Sequence, residues 1–309
     1  MQVASLERPA DRIVSIELEP ACGSVLPSWE PGSHIDVHLA QGLVRQYSLS
    51  LAPRSGRWRL GVLEEADGRG GSSYIHRMLR VGDRITVSRP RNTFPFELRG
   101  RPVIFVVGGI GITPILSMVA EAASATAAWS LLYLTRSPEA TAFADELAAY
   151  EHRVKHHYDS TAGIIDLPTA LDDLGGREAD IYACGPPALL SALETYAASR
   201  QGCRLVVERF SGGGTTQPQP DDQEFVVELA DGTEIVVPAD ESILEALARE
   251  GVPLLSSCQE GVCGTCETAV LAGRPDHRDH VLTEDERASG EMIMPCVSRC
   301  LGSRIRLDL

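Results

Sequence analysis

The sequence predicts a multidomain protein in three parts. These are an antiparallel β-barrel over residues 1–100, an α/β domain with a parallel sheet over 101–210 and, beyond a linker at 211–223, an α+β domain over 224–309. Three observations lead there. The apolar pattern changes texture near residue 100, the Gly/Pro/polar stretch SGGGTTQPQPDDQ breaks it at 211–223, and a cysteine-rich loop, CQEGVCGTCETAV, follows at 258–270. A length of 309 residues also suits two or three domains better than one.

In the first part, the short runs RIVSIEL, SHIDVHL, WRLGVL and RITVS alternate apolar with polar residues and are broken by Pro, Gly and Asp. That is the signature of antiparallel strands half-buried around one core. From 101 the texture is strand–helix: PVIFVV, ITPILSMVAEAAS, WSLLYLT, FADELAAYE, ADIYACG and RLVVERF. Nearly continuous apolar strands separated by amphipathic helices imply a parallel sheet covered on both faces. Past the linker, EFVVELADGTEIVVP reads as a hairpin turning at Asp231-Gly232. SILEALAREG then reads as a short helix, with a capping box from Ser242 to Glu245 and a stop at Gly251.

Composition narrows the function. Apolar residues make up 43% and charged residues 23%, an ordinary globular balance. No run approaches the roughly 18 uncharged apolar residues of a membrane span. The start, MQVASLERPADRIVSIEL, reaches an acid and a base before any apolar stretch, unlike a secretory signal. The expected location is therefore the cytoplasm, with no membrane association. Disulfides are rare there, so eight cysteines need another explanation. The net charge is −15 and Lys155 is the only lysine, which argues against a nucleic-acid partner. From Gln223 to Leu309 there are 17 acids against 7 arginines. This acidic end either steers the chain toward a basic patch on another protein or serves solubility.

Cys258, Cys263 and Cys266 are spaced C-x4-C-x2-C, and Cys296 follows after 29 residues. Three ligands in one loop with a distant fourth is the plant-type [2Fe–2S] arrangement. Such a loop must wrap bridging sulfides and aim N–H groups at them, which Gly261 and Gly264 permit. Zinc sites use two close cysteine pairs, and only one is present. Cys300 reads as packing, and His277 and His280 as surface or neighbouring groups.

The hairpin, the helix, the cysteine loop, DHRDHVLTEDER (276–287) and MPCVSR (294–299) together resemble the C-terminal ferredoxin domain of phthalate dioxygenase reductase-like proteins. That family includes the reductases of vanillate demethylase and carnitine oxygenase systems. The resemblance implies a β-grasp fold for 224–309 and extends over essentially the full chain. RQYSLS (45–50) looks like the flavin motif of the ferredoxin reductase superfamily. On that likeness Arg45 pairs with the flavin phosphate, Tyr47 covers the ring and Ser48 lies near its redox nitrogen. Gly70, Gly71, Ser72 and Ser73, within GRGGSSYIH (68–76), open a helix whose N-terminus favours a phosphate. PRNTFPF (90–96) is similar to the family too. Its members imply FMN, with FAD the lesser alternative.

VIFVVGGIGITP (103–114) is a strand, a glycine turn and a helix start, though not the ordinary G-x-G-x-x-G fingerprint. Gly108, Gly109, Gly111, Thr113 and Pro114 match the family's nucleotide motif, and Cys184, Gly185 and Pro186 match its second. By resemblance Cys184 lies beside the nicotinamide and flavin rings. With Thr113 and Ser48 it forms the set expected at hydride transfer, shaping geometry and not attacking as a nucleophile. Without the family, Cys184 reads as a small buried residue. Thr135, Arg136 and Ser137 suit the adenosine ribose. The family implies NADH, while Arg136 leaves NADPH open. Phe210 matches an aromatic that packs on the flavin, or is a core residue at a strand end.

The resemblance thus implies an NADH-dependent iron–sulfur flavoprotein, the reductase component of a Rieske-type oxygenase. It would pass electrons from NADH through FMN and [2Fe–2S] to a terminal oxygenase with Rieske non-haem iron. The family also implies a monomer. The alternatives are a reductase for a haem oxygenase or quinone, and a redox-sensing binding protein. A sensor would have a degraded flavin or nucleotide motif.

Overall fold

The structure is a computed structural model describing residues 1–40, 43–51, 56–66, 68–212 and 218–309. The chain packs into two units, Met1–Glu208 and Arg209–Leu309. Residues 213–217 of the expected linker lie outside the described residues.

The first unit opens with strands β1 (Gln2–Ala10), β2 (Ile13–Glu19), β3 (Ser33–His38), β4 (Val44–Ser48) and β5 (Trp58–Leu63). Helix α1 (Gly71–Met78) and the short strands β6 (Thr86–Val87) and β7 (Arg91–Asn92) follow. They pair as two antiparallel sheets, β1–β2–β5 and β4–β3–β6, with β7 also on β3. Alternate side chains of three strands point inward (Val14, Ile16 and Leu18; Ile35 and Val37; Trp58, Leu60 and Val62), and Ile75 of α1 closes the same core. Each such aliphatic side chain removed from water contributes roughly 1.5–3 kcal/mol. The expected strand RITVS shrinks to Thr86–Val87. Beyond it the Ser88 hydroxyl takes the Asp36 N–H at 2.9 Å, and Pro90 has no N–H to extend the ladder.

The second half of this unit runs β8 (Val103–Gly108), α2 (Ile112–Ser124), β9 (Trp129–Thr135), α3 (Ala144–Leu147), β10 (Val154–Tyr158), α4 (Asp159–Ala162), α5 (Leu167–Asp173), β11 (Asp180–Cys184), α6 (Pro187–Ala198) and β12 (Arg204–Glu208). The five strands form a parallel sheet in the order β10–β9–β8–β11–β12. Phe105 and Val107 of β8 face one apolar cluster, with Ile112 and Ile115; Ile104 and Val106 face the other, with Ile181 and Leu190. Both faces are buried, which is why β8 reads as a continuous apolar run. The strand order reverses between β8 and β11, leaving a crevice at their C-terminal ends.

FADELAAYE does not form the expected continuous helix. α3 has four residues and is followed by a tight turn at Ala148–Arg153. Phe143 enters at φ 58°, and Tyr150 leaves helical geometry to set its ring edge-on to Trp129, centroids 5.4 Å apart. Arg59 of β5 explains the bend: it lies 4.6 Å over the Phe143 ring and pairs with Glu146.

The second unit contains β13 (Phe225–Glu228), β14 (Glu234–Val237), α7 (Ile243–Arg249), β15 (Thr268–Ala272), β16 (Pro275–Asp276), α8 (Glu284–Ser289), β17 (Met292–Ile293), β18 (Arg299–Cys300) and β19 (Arg304–Leu307). Its main sheet has the order β14–β13–β19–β15–β17, with β13 and β19 parallel. The hairpin turns where expected: Gly232 has φ 88°, and Asp231 accepts the Thr233 N–H at 2.8 Å. Ser242 and Glu245 form the capping box of α7, and Gly251 follows its end at φ 75°. Ile243, Ala246 and Leu247 lay the helix on Val227, Ile235 and Ile305 of the sheet. Among the described residues no helix is long and apolar enough to cross a membrane.

Candidate functional site

Two glycine turns meet at the crevice of the parallel sheet. β8 and β11 are in register at Val107 and Cys184, so the turn Gly109–Gly111 and the turn Gly185-Pro186 leave the sheet side by side. They touch where side chains would not fit. A Cβ on Gly111 would lie 2.5 Å from the Cys184 carbonyl carbon, one on Gly185 2.9 Å from the Gly108 nitrogen, and one on Gly108 2.5 Å from the Pro186 ring. The 13-residue α2 starts here with no side-chain cap, and its second and third residues are the buried Thr113 and Pro114. Such a terminus offers N–H groups and a positive dipole end to an anion. The Thr113 hydroxyl donates to Ile110 O at 3.0 Å, holding the turn closed.

Cys184 is fully buried at the end of β11, and desolvation pushes its thiol well above the ordinary range. It stands opposite Glu208 across β12, where burial raises the carboxyl to about 8 and leaves one oxygen without a hydrogen-bond partner. A lone acid among apolar strand residues in VVERF was the available signal for Glu208, but only Phe210 stood out in that stretch. Thr135 ends β9 at the same edge of the sheet, and Arg136 and Ser137 follow it. Thr135 is buried and bonded to Thr141 at 2.9 Å, whereas Arg136 is exposed.

On β4, Ser48 is buried opposite His34 and Tyr47 stands opposite Ile35. Burial drives the Tyr47 phenol far above its usual range, a ring held neutral in an apolar setting. Arg45 donates to Val44 O at 2.7 Å and to Arg69 O at 2.8 Å, which brings it to the start of α1. Gly71 makes the room: a Cβ there would sit 2.6 Å from Arg45 Cγ. Gly70 caps this helix at φ 83° without a side-chain bond, and Ser72 accepts the Glu65 N–H at 3.1 Å. Arg45 and the Gly70–Ser73 stretch, distant in sequence, therefore lie together at the start of α1. Phe210 is 44% exposed and belongs to the second unit.

In that second unit the thiols of Cys263 and Cys296 are hydrogen-bonded to Cys258, and Cys266 to Cys296. Backbone N–H groups of Glu260 and Thr265 donate to Cys258 and Cys263 sulfurs at 3.3 and 3.4 Å. The surrounding thiols and N–H groups hold Cys258 well below a free thiol, while Cys263 and Cys296, as donors, are pushed up. Gly261 has φ 68°, and a Cβ there would meet Val297 at 2.6 Å, so the loop closes only around glycine. Leu244, Leu282, Met294 and Val297 pack around Cys266 and Cys296, Cys263 is also buried, and Cys258 is half-buried. Four close cysteines, three of them buried and two receiving backbone N–H groups, fit a [2Fe–2S] cluster. Among the described residues no three His, Cys, Asp or Glu side chains are grouped to hold a single metal ion. Cys300 is bonded to Arg304 O and packs apart from this group. His277 is not a surface residue: its side chain is 10% exposed, beside Asp279.

Residues 227–301 match the 2Fe-2S iron-sulfur cluster binding domain. Over 319 residues the chain is 39% identical to phthalate dioxygenase reductase of Burkholderia cepacia, covering 100% of this chain and 97% of that one. The chain belongs to the phthalate dioxygenase reductase-like family. Another relative, 41% identical over 296 residues, is the heme-dependent oxidative N-demethylase beta subunit of Ectopseudomonas mendocina, with 94% of this chain and 92% of that one covered. Among solved structures, phthalate dioxygenase reductase itself, described as modular for electron transfer from pyridine nucleotides to [2Fe-2S], superposes over the full chain and 97% of its own length. Its TM-score is 0.73, at 37% identity. An intact type IV self-sufficient cytochrome P450 monooxygenase gives a TM-score of 0.88 at 39% identity, but this chain spans only 40% of it.

Proposed function

We propose that this member of the family is the reductase component of a Rieske-type oxygenase, carrying electrons from NADH through FMN and [2Fe–2S] to the terminal oxygenase. The observation that carries the reading is the presence, in one chain, of two interlocked glycine turns, an arginine set against a helix start, and four grouped thiols. A bound flavin takes a hydride as an electron pair and releases electrons singly, and the cluster carries them one at a time. Residues 1–100, read as a barrel, would hold the flavin: Arg45 with Gly70, Gly71, Ser72 and Ser73 its phosphate, Tyr47 the ring face, and Ser48 a hydroxyl near the ring. Phe210 would cover the ring's other side. FMN suits a site with one arginine-backed phosphate cradle better than FAD.

Residues 101–210 would hold the nucleotide, with Gly108, Gly109, Gly111, Thr113 and Pro114 around the pyrophosphate. Gly185 and Pro186 would close the crevice over it, and Thr135, Arg136 and Ser137 would meet the ribose. Cys184 is kept neutral by burial, so it shapes the hydride-transfer surface and adds no charge to it. Cys258, Cys263, Cys266 and Cys296, on a β-grasp domain at 224–309, would ligate the cluster. The acidic surface of that domain suits a basic face of the oxygenase. A monomer suffices for this route.

A haem acceptor is the second reading, and the printed name of the heme-dependent N-demethylase subunit favours it. The deciding experiment is an anaerobic visible spectrum before and after NADH, with the flavin released and identified. Overlapping flavin and iron–sulfur absorption that bleaches with NADH supports the route. A cluster spectrum without flavin, or without response to NADH, overturns it.

A further inference from the structure

The stretch joining the last strand of the first unit to the ferredoxin sheet is fastened at both ends to the second unit. Gly212 is buried, and its N–H donates to Glu260 Oε2 at 3.1 Å. Its backbone is also hydrogen-bonded by the ring of His280, a residue whose backbone N–H donates to Gly261 O at 2.8 Å. Both partners belong to the shell of the cysteine loop. Glu260 lies between Cys258 and Cys263, and its backbone N–H reaches Cys258 sulfur at 3.3 Å. At the far end, the Asp222 side chain is only 4% exposed. Arg278 Nη1 donates to it at 3.0 Å, Arg278 Nη2 also bonds it, and Arg299 lies 3.7 Å away.

We propose that Glu260 is a positioning residue for electron transfer, pinning the inter-unit strap at Gly212 to the cysteine loop, so that the working tether is Arg209–Ser211 and not the glycine-rich run. The inference rests on the function proposed above. With Gly212 fixed, three residues separate it from the end of β12 at Glu208. Without the Glu260 bond, Gly212 would keep the His280 contact alone of these two, and that anchor of the strap would loosen. Effective concentration falls as a tether lengthens beyond the span it must bridge, so a short tether keeps the cluster loop frequently presented to the flavin-bearing unit. One residue thus serves two ends: its carboxylate holds the strap, and its backbone holds the sulfur of a cluster ligand.

The test uses full-length holoprotein with Glu260→Ala, Glu260→Gln and a short Gly-Ser insertion after Gly214. Stopped-flow absorbance follows flavin and cluster reduction by NADH, and hydrogen exchange follows the backbone of 209–212. Glu260→Ala is expected to slow cluster reduction about tenfold at unchanged flavin reduction and iron content. Exchange in 209–212 should rise with it. Glu260→Gln keeps an acceptor oxygen and should stay near wild type in both readouts. The insertion should change neither. An insertion as slow as Glu260→Ala, or unchanged protection of 209–212 in Glu260→Ala, overturns the proposal. If NADH reduces neither centre in the wild-type protein, the proposed function fails, whereas the exchange readout still decides where the strap is held.

Discussion

Cys184 and Glu208 stand opposite each other on adjacent parallel strands, and a charge on Glu208 would disfavour ionisation of the Cys184 thiol. Burial is the larger cause for Cys184 and the cause for Glu208, whose carboxyl at the crevice edge is raised to about 8.

This fixes a pH dependence. Glu208 holds its proton in the folded chain up to about 8 but loses it in the unfolded chain near its ordinary value. Between those two limits the folded state binds more protons, so stability from this group is complete at low pH and falls as pH rises through the window. Thermal melts of Glu208→Gln against wild type, from pH 5 to 8.5, should show a shallower decline in the variant. Parallel declines would mean that Glu208 is ionised in the folded protein.

Gly111→Ala should destabilise the first unit even though alanine is the better helix former. The added methyl has no room against the Cys184 carbonyl group, and overpacking of this kind costs about 1–3 kcal/mol. A lower Tm, with NADH binding weakened in titration calorimetry, is the expected result. Unchanged binding would separate the two turns from the nucleotide.

Arg45→Ala should loosen the flavin. Losing one charge-assisted contact costs roughly 1.5–3 kcal/mol, about ten- to a hundredfold in Kd. Flavin retained on dialysis is the readout, and full retention would remove Arg45 from the phosphate site.

Cys263→Ser should remove the cluster's visible absorbance and the reduction of cytochrome c, while NADH-to-ferricyanide turnover through the flavin continues. Loss of both activities with fold and flavin intact would reverse the proposed order of carriers.

What was legible in the sequence was local. The hairpin at Asp231-Gly232, the capping box at Ser242 and Glu245, and α2 over ITPILSMVAEAAS are set by neighbours within a few residues, and the structure shows each where its signals lie. Where a distant contact governs, the local pattern misled. The bend in FADELAAYE comes from Arg59 and Trp129, neither within helical reach. β10 escaped notice because VKHHY is an edge strand with little apolar content. The candidate site divides in the same way. Cysteine spacing is visible in one dimension, but sheet order alone sets Glu208 against Cys184 and GGIGITP against CGPP.

That last packing bears on how this module can be recombined. The two glycine turns lie more than seventy residues apart in the chain, yet each occupies space the other leaves only by lacking a side chain. A chimaera joined anywhere between Gly111 and Gly185 would inherit one turn from each parent. Parents that resolve the crowding differently would give a clash at the crevice although both halves were individually sound. Crossovers placed before Gly108 or after Pro186 keep the pair together, and the nucleotide half can then be exchanged as one piece.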